Sequence, residues 1–154
     1  MSRLTFLLPL FLLLSMCSSD DTEDYDCSAV LCVADFSELH LELIDSENSE
    51  NLLTNETYTA SDITISGNET IEFSIQDIAE KKILTLSDSE WEIGTYNYIL
   101  TVGDSNSFDI TLKLARTDGE GCCSNTLLIE SLEIDGEIQE DNPTIFKIPI
   151  NNLD

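Results

Sequence analysis

Apolar residues recur at every second position through most of this chain, and that period of two is the feature that most narrows what it can fold into. Leu39, Leu41 and Leu43 alternate with His40 and Glu42; Ile71, Phe73 and Ile75 alternate with Glu72 and Ser74. Ile63 and Ile65 flank Thr64, and Leu84 and Leu86 flank Thr85. Tyr96, Tyr98, Leu100 and Val102 share one parity, as do Phe108, Ile110, Leu112 and Leu114, and Phe146, Ile148 and Ile150 near the end. Side chains on a strand point to opposite faces in turn, so each run reads as a strand with one face buried. Gly67-Asn68, Gly103-Asp104-Ser105-Asn106 and Asp135-Gly136 punctuate the runs, and the last suits a type I′ hairpin turn. Residues 127–134 change parity, with Leu127 and Ile129 out of step with Leu132 and Ile134, which predicts a β-bulge or a strand that changes sheet. The stretch Gln76 to Lys82 is the one short candidate for helix and reads better as a loop with a single turn. Seven or eight short strands without a helical period predict an all-β antiparallel sandwich, immunoglobulin-like or transthyretin-like. A small β-barrel is the alternative. The lone indole, Trp91, is expected to pack in the core or at a sheet edge rather than to serve as a ligand platform.

The N-terminus has a different character. Leu4 to Leu14 is an apolar run broken by Thr5 and Pro9 and preceded by Arg3. It is shorter than the ~20 residues a membrane-spanning helix needs and matches the length of a signal-peptide core. Leu14-Ser15-Met16-Cys17 resembles the lipobox of bacterial lipoproteins, with Met16 where a small residue is usual. The resemblance implies that residues 1–16 are removed and that Cys17 carries the lipid. Ser18, Ser19, Asp20 and Asp21 follow, and this run resembles the acidic export signal of Bacteroidota surface lipoproteins. It implies an outer-membrane protein that faces outward. Several acyl chains hold such a protein stably, since each buried methylene contributes ~0.8 kcal/mol. An ordinary secretory leader cut near Ser19, leaving a periplasmic or secreted protein, is the competing expectation. Residues 17–26 are read as an acidic, solvated tether and residues 27–154 as a single domain.

Charge removes whole classes of partner. The chain carries 31 acids and 6 Lys or Arg, and losing Arg3 with the leader leaves a formal net charge of −26. Such a surface cannot neutralise phosphates, so a nucleic-acid role is excluded, as is electrostatic docking on anionic lipid. The membrane is reached through the lipid on Cys17 alone.

Four further cysteines, Cys27, Cys32, Cys122 and Cys123, form an even set in an exported chain and read as disulfide candidates. Of the three pairings, the one with a vicinal Cys122–Cys123 bond is disfavoured by its strain. The other two both link the N-terminal segment to the Gly-Glu-Gly-Cys-Cys loop. Neither a zinc spacing nor a Cys-x-x-Cys redox motif is present, and no metal or other cofactor is expected. His40 alternates with two leucines and is expected on the solvent face, away from any nucleophile. No hydrolase, metalloprotease or phosphate-loop motif appears. Acid-bearing turns at Asp104, Asp118 and Asp135 offer oxygens for calcium without forming a known loop, and they read instead as turn residues set by backbone geometry and solubility. Asn55-Glu56-Thr57 and Asn68-Glu69-Thr70 match the glycan-acceptor pattern by chance in a bacterial context. The sequence therefore predicts a non-catalytic envelope protein, a binding or accessory module for another envelope protein or a glycan. An enzyme or enzyme inhibitor with an unrecognised carboxylate site is the alternative.

Overall fold

Every alternating run becomes a strand. The computed structural model of the chain describes residues 36–117, 125–139 and 143–151. Its strands are β1 (Leu39–Asp45), β2 (Ile63–Ser66), β3 (Ile71–Ile78), β4 (Lys81–Asp88) and β5 (Gly94–Val102). They are followed by β6 (Asn106–Arg116), β7 (Leu127–Ile134), the two-residue β8 (Glu137–Ile138) and β9 (Phe146–Ile150). One 3₁₀ turn, Ala60–Asp62, leads into β2. The strands form two sheets, ordered β3-β4-β1-β9 and β2-β5-β6-β7-β8, which are not closed into a barrel. The architecture is a β-sandwich. It is antiparallel at every strand pair except β1–β9, which run parallel with Leu41 opposite Phe146 and Asp45 opposite Ile150. The antiparallel sandwich expected from the sequence is what forms, with this one parallel pair where the last strand returns across the molecule to lie beside the first.

The core is the set of inward residues that the alternation marks. Leu39, Leu41 and Leu43 of β1 and Leu84 and Leu86 of β4 face Leu100, Leu112 and Leu132 of the other sheet, all buried. Leu52 and Leu53 add to this core from outside the strands, and both are fully buried in an otherwise polar loop. That loop is shaped by side chains that stand in for backbone. Asp45 Oδ1 accepts the Glu47 N–H at 2.7 Å, Asn48 Oδ1 accepts that of Glu50 at 2.8 Å, and Asn51 Oδ1 accepts that of Thr54 at 2.7 Å. Short Asp and Asn side chains close such turns locally, so the acid- and amide-rich composition of this loop is what folds it.

Two turns carry the register. Asp135 and Gly136 both adopt positive φ, 53° and 78°, and join β7 to β8 as the expected primed hairpin turn. Ala79 and Glu80 do the same at 50° and 67° between β3 and β4. The expectation of a loop around residues 76–82 is corrected. Strand pairing runs to Ile78 and resumes at Lys81, because cross-strand pairing along the whole hairpin outweighs the local cost of two non-glycine residues in the left-handed region. The change of parity in β7 is a bulge. Leu114 pairs with Ile129 and Lys113 with Ser131, so Glu130 is the extra residue. It turns outward to meet Lys113 Nζ at 2.6 Å, while Leu127 and Leu132 both stay in the core.

Candidate functional site

The site begins with the connection from β2 to β3, where the chain leaves one sheet for the other. Gly67 sits at the crossing. A Cβ built on it would lie 2.5 Å from Tyr98 Cδ1 and 2.7 Å from the Asn97 carbonyl oxygen, so only glycine lets the crossing lie this close to β5. Beyond it, Asn68 Nδ2 and Thr70 Oγ1 both donate to the Asp88 carboxylate at the end of β4, the latter at 2.7 Å. The same carboxylate accepts the Glu90 N–H at 2.9 Å and the Tyr98 hydroxyl at 3.1 Å. Trp91 Nε1 in turn donates to Tyr98 Oη at 2.7 Å, and its ring stacks on Phe36 with centroids 5.0 Å apart. Trp91 is thus a core residue with a polar handle, as its sequence context predicts.

Burial pushes the Asp88 carboxyl upward, but the donors from Thr70, Asn68, the Glu90 backbone and Tyr98 outweigh it and hold the group below the usual aspartate range. Burial is also the main reason that the Tyr98 hydroxyl is raised, with the neighbouring Asp88 adding to it. An ionised carboxylate saturated by four donors is a structural tie between two loops and a strand. Asn68 and Thr70 of the Asn68-Glu69-Thr70 pattern are both engaged in that tie. Asn55-Glu56-Thr57 has a similar local use, since Asn55 Oδ1 accepts the Thr57 N–H at 3.1 Å.

With the crossing held in this way, β2 and β3 lie at the same side of the sandwich as the outer strands of opposite sheets. Among the described residues β2 pairs only with β5 and β3 only with β4. The apolar seam between the sheets opens here. A cleft of about 500 Å³ is lined by Ile63, Ile65, Ile71 and Phe73 with Thr64 and Glu72 at its rim. A second depression of about 280 Å³ lies farther along β3, where Ile75 meets Tyr58, Leu53 and Lys82. Ile65, Ile71, Phe73 and Ile75 pack on the core while remaining only partly buried.

The backbone of the edge is arranged to match. Ile78 and Lys81 flank the two-residue turn and form a hydrogen-bonded pair, so alternate residues back along β3 direct their N–H and C=O groups to β4. Ile71, Phe73, Ile75 and Asp77 direct theirs to the open side. On β2, the Asp62 carbonyl accepts the Gly103 N–H at 2.7 Å, which leaves Ile63 and Ile65 to present theirs to the same opening. The depression is therefore shallow and mixed in character, with isoleucine and phenylalanine side chains between two strand edges that present backbone polar groups.

The opposite side of the molecule is built differently. The Ile150 carbonyl accepts the Ser46 N–H at 3.0 Å, so the backbone of β9 faces β1 at Phe146, Ile148 and Ile150, and its open edge carries Lys147 and Pro149. Proline has no N–H to offer and lysine resists desolvation, and both are common protections of an edge strand. On the other sheet β8 is only two residues long.

The remaining candidates from the sequence fall elsewhere. His40 lies on the outer face of its sheet as expected, but it is shouldered by neighbours rather than open to solvent. Its side chain is 19% exposed, with Nδ1 3.1 Å from Thr85 Oγ1 and Nε2 3.8 Å from Glu38. Glu42, on the same face, is buried beside Lys81 Nζ at 2.7 Å and Asn51 Nδ2 at 3.3 Å. Burial raises its carboxyl, and Lys81, Asn51 and Lys147 together bring it below the usual glutamate range. Asp135 Oδ1 accepts the Asp109 N–H at 2.8 Å, and Asn106 Nδ2 donates to Tyr58 Oη at 3.3 Å, so these turn residues serve the backbone and a neighbouring side chain. Among the described residues no three His, Cys, Asp or Glu side chains converge as a metal site would require. Cys17, Ser18, Ser19, Asp20, Asp21, Cys27, Cys32, Asp118, Cys122 and Cys123 lie outside the described residues.

The sequence marks Ile71, Phe73 and Ile75 as one face of a strand, but it carries no sign that this strand ends a sheet. The Asp88 tie is equally hidden, since two of its four donors, Thr70 and Asn68, lie 18 and 20 residues away in sequence. Comparison with family models, curated proteins and solved structures finds no match to this chain.

Proposed function

We propose that this protein is a non-catalytic, lipid-anchored component of the outer-membrane surface that works as a binding or accessory module. The observation that supports the reading is the open seam between β2 and β3: a shallow depression lined by isoleucine and phenylalanine, bounded by strand edges that no other described residue pairs, on a β-sandwich. Such a depression recognises a partner by shape and main-chain hydrogen bonds. The two most buried carboxylates of the described chain, Glu42 and Asp88, are both engaged by donors, as structural groups are. The leader, the lipobox-like Leu14 to Cys17 and the acids that follow supply the anchor and the outward address in this reading, with residues 17–26 as the spacer.

Fractionation and protease shaving test it together. The full chain and a Cys17→Ser variant are expressed in the native host, and membrane association and accessibility on intact cells are followed by immunodetection. The wild type is expected in the outer-membrane fraction and to be shaved from intact cells. The variant is expected to lose its membrane association. A wild type released to the periplasm or medium, or one protected until lysis, overturns the anchored, outward-facing reading.

A further inference from the structure

We infer that the β3 edge is a strand-addition site for an extended segment of a partner protein, apolar at alternating positions and basic at its ends. The inference deepens the reading of the chain as a binding module and rests on it. Three observations meet at this edge. The outward N–H and C=O groups of Ile71, Phe73, Ile75 and Asp77 form a ladder of four residues with no partner among the described residues. The two depressions beside it, at Ile71 and Phe73 and at Ile75, are spaced along the same strand, so an added strand would place alternate side chains into each. The proline that blunts β9 has no counterpart in the sequence Ile-Glu-Phe-Ser-Ile-Gln-Asp-Ile of β3, whose exposed charges are the acids Glu72 and Asp77 where β9 carries Lys147.

Charge selects the occupant. Glu69, Glu72 and Asp77 are exposed along this edge, and the whole chain carries a formal charge of −25. A second copy of this chain would bring the same acids and the same net charge against the first. A segment with Lys or Arg at its ends finds Glu69 and Glu72 at one end of β3; at the other end Asp77 stands opposite Lys82, and there the net negative charge of the chain supplies the attraction. The acids on the edge thus discourage self-association while admitting a basic partner.

The test uses the full-length protein in detergent micelles and a synthetic peptide of about nine residues, the length of an ordinary long strand. The peptide alternates Ile or Val with Thr and carries Lys at both ends. A matched peptide carries Glu at both ends. Binding is read by fluorescence anisotropy, and its location by hydrogen exchange of backbone amides. The expected result is at least tenfold tighter binding of the Lys-ended peptide, with new protection at the Phe73 and Ile75 amides and none along β9. The double variant E72K/D77K, altered only at exposed side chains, is expected to reverse the preference between the two peptides. Equal binding of both peptides, protection elsewhere, or an unchanged preference in the double variant overturns the inference. A self-associated protein whose β3 amides are already protected without peptide also overturns it, in favour of a second copy as the occupant. Anchoring and surface exposure are read separately by fractionation. Failure of peptide binding by a correctly anchored protein therefore counts against the edge assignment, and loss of anchoring counts against the functional reading.

Discussion

At the scale of single residues, the Asp88 side chain gathers four hydrogen bonds, as many as that of Asn51. The four donors to Asp88 come from the β2–β3 crossing, the loop after β4 and the centre of β5. Replacing Asp88 by Asn keeps the shape, removes the charge and turns one acceptor into a donor facing other donors. Asp88→Asn is expected to cost about 2 kcal/mol in denaturant unfolding, the usual consequence of leaving buried groups unsatisfied. The pH dependence follows from the direction of the shift. A carboxyl whose folded-state pKa lies below its ordinary value of 3.8 contributes stability that is fully present above that value. That contribution is lost as pH falls through the folded-state pKa. The stability difference between wild type and Asp88→Asn is therefore expected to be constant above pH ~5 and to shrink as acid is added. A difference that grows in acid would contradict the ionised assignment. Gly67→Ala is the second expectation at this scale. The added methyl meets the Tyr98 ring and a backbone oxygen, neither of which is a flexible side-chain end, and a loss of about 2 kcal/mol is expected in thermal or denaturant melts.

At the scale of elements, the β3–β4 hairpin shows where local preference gives way. Ala79 and Glu80 both sit at positive φ, where an L-residue with a Cβ is strained by about 1–2 kcal/mol. Eight cross-strand pairs on β3 and β4 hold them there. Replacing Ala79-Glu80 by Asn-Gly, the pair that favours this turn, is expected to raise the melting temperature by several degrees without changing the fold. A lower melting temperature would contradict the turn assignment. Ala-Glu carries none of the Gly, Asn or Asp signal by which such a turn is recognised, so residues 76–82 read as a loop. Asp135-Gly136 carries that signal in full and was legible. The bulge at Glu130 was legible too, because a one-residue slip moves every later side chain to the other face and leaves its mark on parity.

At the scale of the whole molecule, the described chain brings together the flanks of both cysteine-bearing segments. The Phe36 N–H donates to the Leu127 carbonyl at 2.9 Å, joining positions 91 residues apart in sequence. Cys32 precedes Phe36 by four residues and Cys123 precedes Leu127 by four, and a four-residue stretch reaches at most about 14 Å. Non-reducing peptide mapping of the exported protein is expected to recover Cys27 and Cys32 linked across to Cys122 and Cys123. Reduction is expected to lower stability by up to about 4–5 kcal/mol, the chain-entropy value for loops of this length. Free thiols, or a bond between Cys122 and Cys123, would contradict that pairing.

The sequence by itself determined the strands, their buried faces, the break of parity in residues 127–134, one hairpin turn and the packing role of Trp91. Each of these depends on the period of side chains along a strand or on the backbone preference of a few adjacent residues, and both are local. Tertiary structure alone decided which strands end the sheets, that β9 runs parallel to β1, that Leu52 and Leu53 enter the core from a polar loop, and that Asp88 gathers donors from three separate elements. An edge is defined by the neighbour a strand lacks, and a buried carboxylate by partners distant in sequence, so neither leaves a periodic trace in the chain. The open seam between β2 and β3 belongs to this second group. Its residues are ordinary strand residues, and only their placement at the ends of two facing sheets makes them an open edge.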